Sequence, residues 1–217
     1  MRNDILVYLQ NELYLRCSKP SNKFGMGCYY HIEAVVKNSM LLAQKYNADM
    51  EIVMIAAWLH DIASVTDYAL YKDHHIHGAE IAYDLLTKLE YDESKIVLVQ
   101  NCIVNHRGSV QRNRNSIEEL CVADADAISH FDSIPSLLYL AYAERKMSLE
   151  DGINFVKEKL MRSYGKLSAE SKDFYKDKYQ QVMEVLSSCA TSNVIMMQYN
   201  ENEVYTGKEK KLQGWSL

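Results

Sequence analysis

Two adjacent side chains able to bind a metal, His60 and Asp61, close the apolar run Ala56-Ala57-Trp58-Leu59. A buried ionisable pair is costly unless something compensates it. The cheapest compensation is a metal cation, which takes up the carboxylate charge and an imidazole lone pair together. Further donors lie on either side: His31 upstream in Tyr29-Tyr30-His31-Ile32-Glu33, and Asp124 and Asp126 downstream in Ala123-Asp124-Ala125-Asp126-Ala127-Ile128. In chain order the set reads H…HD…D.

These donors must be carried by helices. Ile5, Leu6, Leu9 and Leu13 recur at helical spacing, which predicts an amphipathic helix over about 3 to 16, followed by a Ser/Asn/Gly/Lys-rich loop to Gly27. Ile32, Val35, Val36, Met40 and Ala43 mark a second helix with His31 in its first turn, and Ile52, Ile55, Ala56 and Leu59 mark a third with the doublet at its C-terminal end. Consecutive helical positions differ by about 100° around the axis, so His60 and Asp61 reach one ion only where the helix ends and the backbone relaxes. The stretch Ser64 to His77 offers that relaxation. Helices follow over about 77 to 89 and 92 to 106, the latter with Asp92 as N-cap and Gly108 past its end. Ser116-Ile117-Glu118-Glu119 is a capping box opening the helix of Asp124 and Asp126, Ser148-Leu149-Glu150-Asp151 opens another, and a polar-faced run spans about 168 to 188. Asp124 and Asp126, two apart on a helix, point roughly 200° away from each other and cannot share an ion.

With two prolines and eight glycines in 217 residues, and 48% hydrophobic content, the chain suits long helices around one substantial core. One helical domain is expected over 1–188, with a short extension or tail over 189–217, where helical periodicity fades. Five scattered cysteines without a CxxC pair fit reduced thiols of a cytoplasmic protein. A net charge of −5 with interspersed signs lacks the footprint of a nucleic-acid polymer binder, and the N-terminal segment is too polar for a signal peptide or membrane span. Trp58 and the sixteen tyrosines read as packing residues, and Lys208-Glu209-Lys210-Lys211 as solvated surface. Oligomeric state is left open.

His31, the His60-Asp61 doublet and Asp126 resemble the H…HD…D metal signature of the HD-domain superfamily, mostly metal-dependent phosphohydrolases. The likeness runs over about 25–145 and takes in His77-Gly78-Ala79-Glu80-Ile81-Ala82 and Ile103-Val104-Asn105-His106-Arg107. It implies an all-α HD-domain bundle and His31, His60, Asp61 and Asp126 as metal ligands. Asp126 is chosen over Asp124 because it leaves Ile128 where the family carries an apolar residue. It also implies a possible second metal, or a substrate phosphate, at His77, then His74, with His106 shared between those roles. His130 has no pattern behind it and reads as an ordinary histidine.

A mixed imidazole and carboxylate shell suits Mn²⁺, Fe²⁺, Co²⁺, Ni²⁺ or Zn²⁺, with Mg²⁺ also compatible, better than a closed thiolate zinc site. The expected reaction is hydrolysis of a small phosphorylated substrate, a nucleotide first among them, by a metal-activated water. Asp61 orients that water, and Arg107 and Lys72 neutralise the charge developing on the phosphate. Two alternatives follow from the same resemblance: a diiron oxygenase, if His74 or His77 and His106 hold a second metal, or a non-catalytic metal-binding regulatory module. The second draws on Ile62-Ala63-Ser64, which departs from the family's frequent basic continuation after the doublet.

Overall fold

A computed structural model describes residues 1–107 and 114–190, with side chains as far as 188. The described residues form helices and turns only: α1 (Asn3–Cys17), α2 (Gly27–Tyr46), α3 (Met50–Leu59), α4 (Ile62–Thr66), a 3₁₀ segment (Tyr68–Asp73), α5 (His74–Lys88), α6 (Glu93–Asn105), α7 (Ile117–Asp132), α8 (Ile134–Tyr139) running into a π-turn (Leu140–Glu144), α9 (Leu149–Lys166) and α10 (Ala169–Ala190). None of these helices is long and apolar enough to cross a membrane. The all-α architecture is the one expected. The extension expected over 189–217 lies outside the described residues, apart from the last two backbone positions of α10.

Local chemistry sets the helix boundaries. Asp49 caps α3 by accepting from the backbone N–H groups of Glu51 and Ile52, and Ser116 caps α7 by accepting from Glu119. Helix α2 stops at Asn47, which takes the left-handed conformation (φ 55°) that asparagine tolerates better than most residues. The doublet interrupts the backbone itself. Helix α3 ends at Leu59, Asp61 sits at φ −112°, ψ 15°, and α4 restarts at Ile62. The relaxation expected after Ser64 therefore comes at the doublet, and the stretch beyond it is helical. His31 lies one turn into α2, which starts at Gly27 instead of near His31.

Helix α7 is the axis of the fold. It packs on α2, α3, α6 and α9, and every residue from Cys121 to Phe131 is buried. The alanines at 123, 125 and 127 keep its surface low, so neighbours approach closely on all sides. The main core joins α1 to α7 through Ile5, Leu9, Ile32, Ile55, Leu59, Leu86 and Ile103, while Phe131, Leu137, Val156, Leu160 and Leu186 form a smaller core that seats α9 and α10 on the far side of α7. Replacing the α7 cap, Ser116→Ala, is expected to cost about 1 kcal/mol; urea titration should show a lower midpoint with unchanged slope.

Candidate metal centre

Three histidines share one device. His60 follows α3, His74 follows the 3₁₀ segment and His106 follows α6, each as the C-terminal cap. Each places ring Nδ1 against the carbonyl three residues back: His60 to Ala57 at 2.7 Å, His74 to Tyr71 at 2.9 Å, His106 to Ile103 at 2.6 Å. A carbonyl only accepts, so Nδ1 carries the proton and Nε2 is left with its lone pair. Terminal helix carbonyls lack intrahelical partners, so the contact caps the helix and fixes the tautomer at once.

The freed Nε2 atoms converge with carboxylates in two groups whose donor atoms lie within 4.8 Å of one another: His31, His60 and Asp126, and Asp61, His74 and His106. Asp61 stands between them, with Oδ2 3.5 Å from His60 Nε2 and Oδ1 3.4 Å from His74 Nε2. His31 Nε2 is 3.2 Å from Asp126 Oδ1. His74 Nε2 and His106 Nε2 face each other at 3.3 Å, and buried His60 Nε2 has no hydrogen-bond partner. Two lone pairs cannot hydrogen-bond each other, whereas a cation satisfies both. The donor set thus fits a divalent metal at either group.

Burial, with His60 beside it, holds His106 down at about 3, so its ring is neutral and able to donate its lone pair at neutral pH. Burial acts against ionisation of Asp61 and Asp126, yet both are held below the ordinary aspartate range, Asp61 by His60, His74 and His106, and Asp126 by Lys166, His31 and His130. Lys166 Nζ bonds Asp126 Oδ2, which leaves Oδ1 for the His31 side.

The remaining candidates distribute as follows. His77 belongs to neither group: it lies one turn beyond His74, half-exposed, with Nδ1 3.2 Å from Glu80. His74, at the junction of the 3₁₀ segment and α5, points back toward His106 and joins its group where His77 does not. Arg107 and Lys72 line the cavity that the two groups share, and the Lys72 carbonyl accepts from Arg107 Nη1 at 2.6 Å. Asp124 is fully buried and accepts from Arg114, from the Ser168 backbone N–H and from the Ser168 hydroxyl, so it is a structural tie and not a solvated acid.

That cavity has a volume of about 1070 Å³. Among the described residues its wall carries seven basic side chains, Lys72, Arg107, Arg114, Arg145, Lys159, Arg162 and Lys166, against two acids, Asp61 and Asp126. Five of the seven lie beyond the two motif histidine stretches and escaped sequence reasoning. The available signal was the spacing of Lys159, Arg162 and Lys166 at steps of three and four, flanking the buried α9 residues Val156, Leu160 and Ser163. His130, which the sequence presents as an ordinary histidine, is buried, packs its ring against His31 at a tilt with centroids 4.5 Å apart, and lies 3.2 Å from Ser163 Oγ, so it braces His31 and Asp126. At the rim Phe24 and Tyr71 pack at 5.0 Å, with Tyr68 stacked on Tyr71 at 5.8 Å; Trp58 is core.

Residues 28–130, a little under half of the chain, match the HD domain family. An uncharacterised protein of Clostridium beijerinckii is 24% identical over 133 residues, covering 56% of this chain and 85% of that protein. Among solved structures, a predicted HD superfamily hydrolase from an uncultured Thermotogales bacterium has a TM-score of 0.54 at 21% identity, covering 86% of this chain and 90% of its own. Bacillus subtilis YpgQ in complex with ADP has a TM-score of 0.59 at 18% identity, over 87% and 95%. A Lactobacillus plantarum protein reaches 0.63 at 16% identity, over 85% and 94%. At these identities the solved structures establish the fold.

Two expectations follow from the geometry. His106 titrates near 3 when folded and near 6.5 when unfolded, so the unfolded chain binds the extra proton between those values and stability falls as pH drops from 6.5 towards 3. Metal-free protein should lose about 4–8 °C of melting temperature between pH 7 and pH 5, and His106→Gln should flatten that dependence; a flat wild-type profile would contradict the buried neutral ring. In a second measurement, Asp124→Ala should cost about 3 kcal/mol by leaving Arg114 and Ser168 unpaired while elemental analysis still finds metal, whereas Asp126→Asn should lower metal content.

Proposed function

We propose that this chain, a member of the HD domain family over residues 28–130, is a metal-dependent phosphohydrolase acting on a small phosphorylated substrate, with a nucleotide as the preferred class. The observation that carries this reading is the pairing of uncommitted imidazole lone pairs with a seven-to-two excess of basic over acidic side chains on one cavity wall, in a chain whose net charge is −5. That concentration of cations favours an anionic substrate, and a phosphoryl group is the anion that a divalent metal and guanidinium groups bind together. The nucleotide preference draws on the ADP held by the Bacillus subtilis relative and on the aromatic shelf of Phe24 and Tyr71 at the cavity rim.

His31, His60 and Asp126 would hold one ion, and Asp61, His74 and His106 a second. Bound divalent ions would supply Lewis acidity and bring the pKa of a water from about 15.7 towards about 7. The chain's own residues do the rest. The Nδ1–carbonyl bonds of His60, His74 and His106 fix the ring orientations, so each Nε2 is aimed at its ion position beforehand. Asp61, with one oxygen towards each group, orients the attacking water. Arg107, held by the Lys72 carbonyl and by His75 Nδ1 at 3.3 Å, presents its remaining donors to the phosphate, and Lys72 adds a positive charge at the same rim.

Nucleoside phosphates and aryl phosphates, tested with Mn²⁺, Co²⁺, Ni²⁺ or Mg²⁺, should be hydrolysed at equal rates with and without oxygen, with activity removed by a chelator. Asp61→Asn should lower kcat by about 10²–10⁴-fold, and elemental analysis should approach two ions per chain. Turnover that requires O₂, or inertness towards every phosphate ester, would reject the hydrolase.

A further inference from the structure

Three cations occupy one cavity-lining face of α9. Lys159, Arg162 and Lys166 follow one another at steps of three and four, all three line the cavity, and Arg145 at the end of the π-turn joins them. Their existing partners do not account for them. Arg162 has only the exposed contact with Glu158 at 3.4 Å, worth little in water, and Arg145 lies over the Phe155 ring at 4.7 Å. Lys166 has Asp126 and, at 3.4 Å, the His106 carbonyl. Lys159 has neither hydrogen bond nor ion pair with any described residue. Desolvation lowers its pKa, Asp126 and Asp61 attract it at longer range, and Lys166 and Arg162 repel it. Metal binding would engage both acids of the cavity and leave the row less compensated still. Like charges gathered on a recessed wall destabilise the empty protein and attract an anion.

Resting on the phosphohydrolase reading, we propose that this face of α9, with Arg145, is a second anion subsite for a phosphoryl group other than the one at the metal centre. The substrate then carries at least two phosphoryl groups, as a phosphoanhydride does. The reacting phosphoryl lies between the two donor groups and Arg107, while its neighbour reaches Lys159 and Arg162. Lys166 joins the two positions, since its ammonium bonds Asp126 and keeps further donors for the distal phosphate.

The test uses the Mg²⁺-loaded full chain and calorimetric titration with inorganic phosphate and inorganic pyrophosphate. Wild-type protein should bind pyrophosphate at least about tenfold more tightly than phosphate, the worth of one charge-assisted hydrogen bond. In Lys159→Met/Arg162→Gln that ratio should fall to within about twofold of unity. Lys159 is only partly buried and Arg162 is exposed, so neither substitution opens the core, and melting curves establish folding. Arg162→Gln alone, at a half-exposed position that cannot unfold the domain, should give an intermediate ratio. Titrating ADP against AMP identifies the carrier: a preference for ADP assigns a nucleotide, and a preference confined to pyrophosphate assigns the inorganic diphosphate. A wild-type ratio near one, or a ratio unchanged in the variants, overturns the subsite. Selective pyrophosphate binding without hydrolysis of any ester would sustain the subsite and reject the hydrolase, whereas hydrolysis of monoesters with no preference for pyrophosphate would do the reverse.

Discussion

The structure depends on one repeated hydrogen bond, from an imidazole Nδ1 to the carbonyl three residues earlier at the end of a helical segment. It occurs at His60, His74 and His106, and each time it fastens the ring to a carbonyl of the last helical turn. Because Nδ1 is committed, the ring cannot turn away, and Nε2 projects beyond the helix end. Three helical segments that terminate at one place therefore aim three lone pairs at one place. Packing supplies the convergence: α3 and α6 are held against each other by the core of Ile55, Leu59 and Ile103, and α5 lies along α6. The donor cluster is thus a consequence of where helices stop.

This explains which parts were legible in the sequence. His60 ends a wholly apolar run and His106 is followed by Arg107 and a glycine, so both helix ends announce themselves. His74 does not. Its segment is preceded by six residues, Tyr68–Asp73, with no apolar period, and only the fold reveals them as a 3₁₀ turn that delivers His74 to the site. Helix α5 begins at His74, one turn before the His77 start that the sequence suggests, and it is the His74 ring that joins the donor group. The Asp126 register came from the resemblance. The structure gives a physical counterpart, in that Asp126 shares a face with His130 one turn on, and that face looks towards α2 and its His31.

The basic wall was hidden for a different reason. Net charge averages over the whole chain, and a value of −5 says nothing about sorting. Lys159, Arg162 and Lys166 read as the solvated side of an amphipathic helix, since they border its apolar stripe. Their role depends on the fact that α9 packs on α7 at the same level as Asp126 and His130, with Ser163 touching His130. No local pattern encodes that height; it comes from how the smaller core of Phe131, Val156 and Leu160 seats α9.

The two aspartates of α7 show how site and scaffold are joined. Pointing to opposite sides, they cannot serve one ion, and each side has its own task. Asp126 faces the donors and Lys166. Asp124 faces the turn between α9 and α10, where it accepts from the Ser168 backbone N–H at 3.0 Å and from Arg114 at 3.1 Å, while Arg114 also donates to the Lys166 carbonyl at 2.8 Å. The end of α9 is thereby clamped one helical face away from the carboxylate its side chain touches. Shifting Asp124 by one position would aim its carboxylate away from the turn, and Lys166 would lose its fixed approach to Asp126. The alternation Asp-Ala-Asp thus keeps the metal side and the basic wall in register across a single helix.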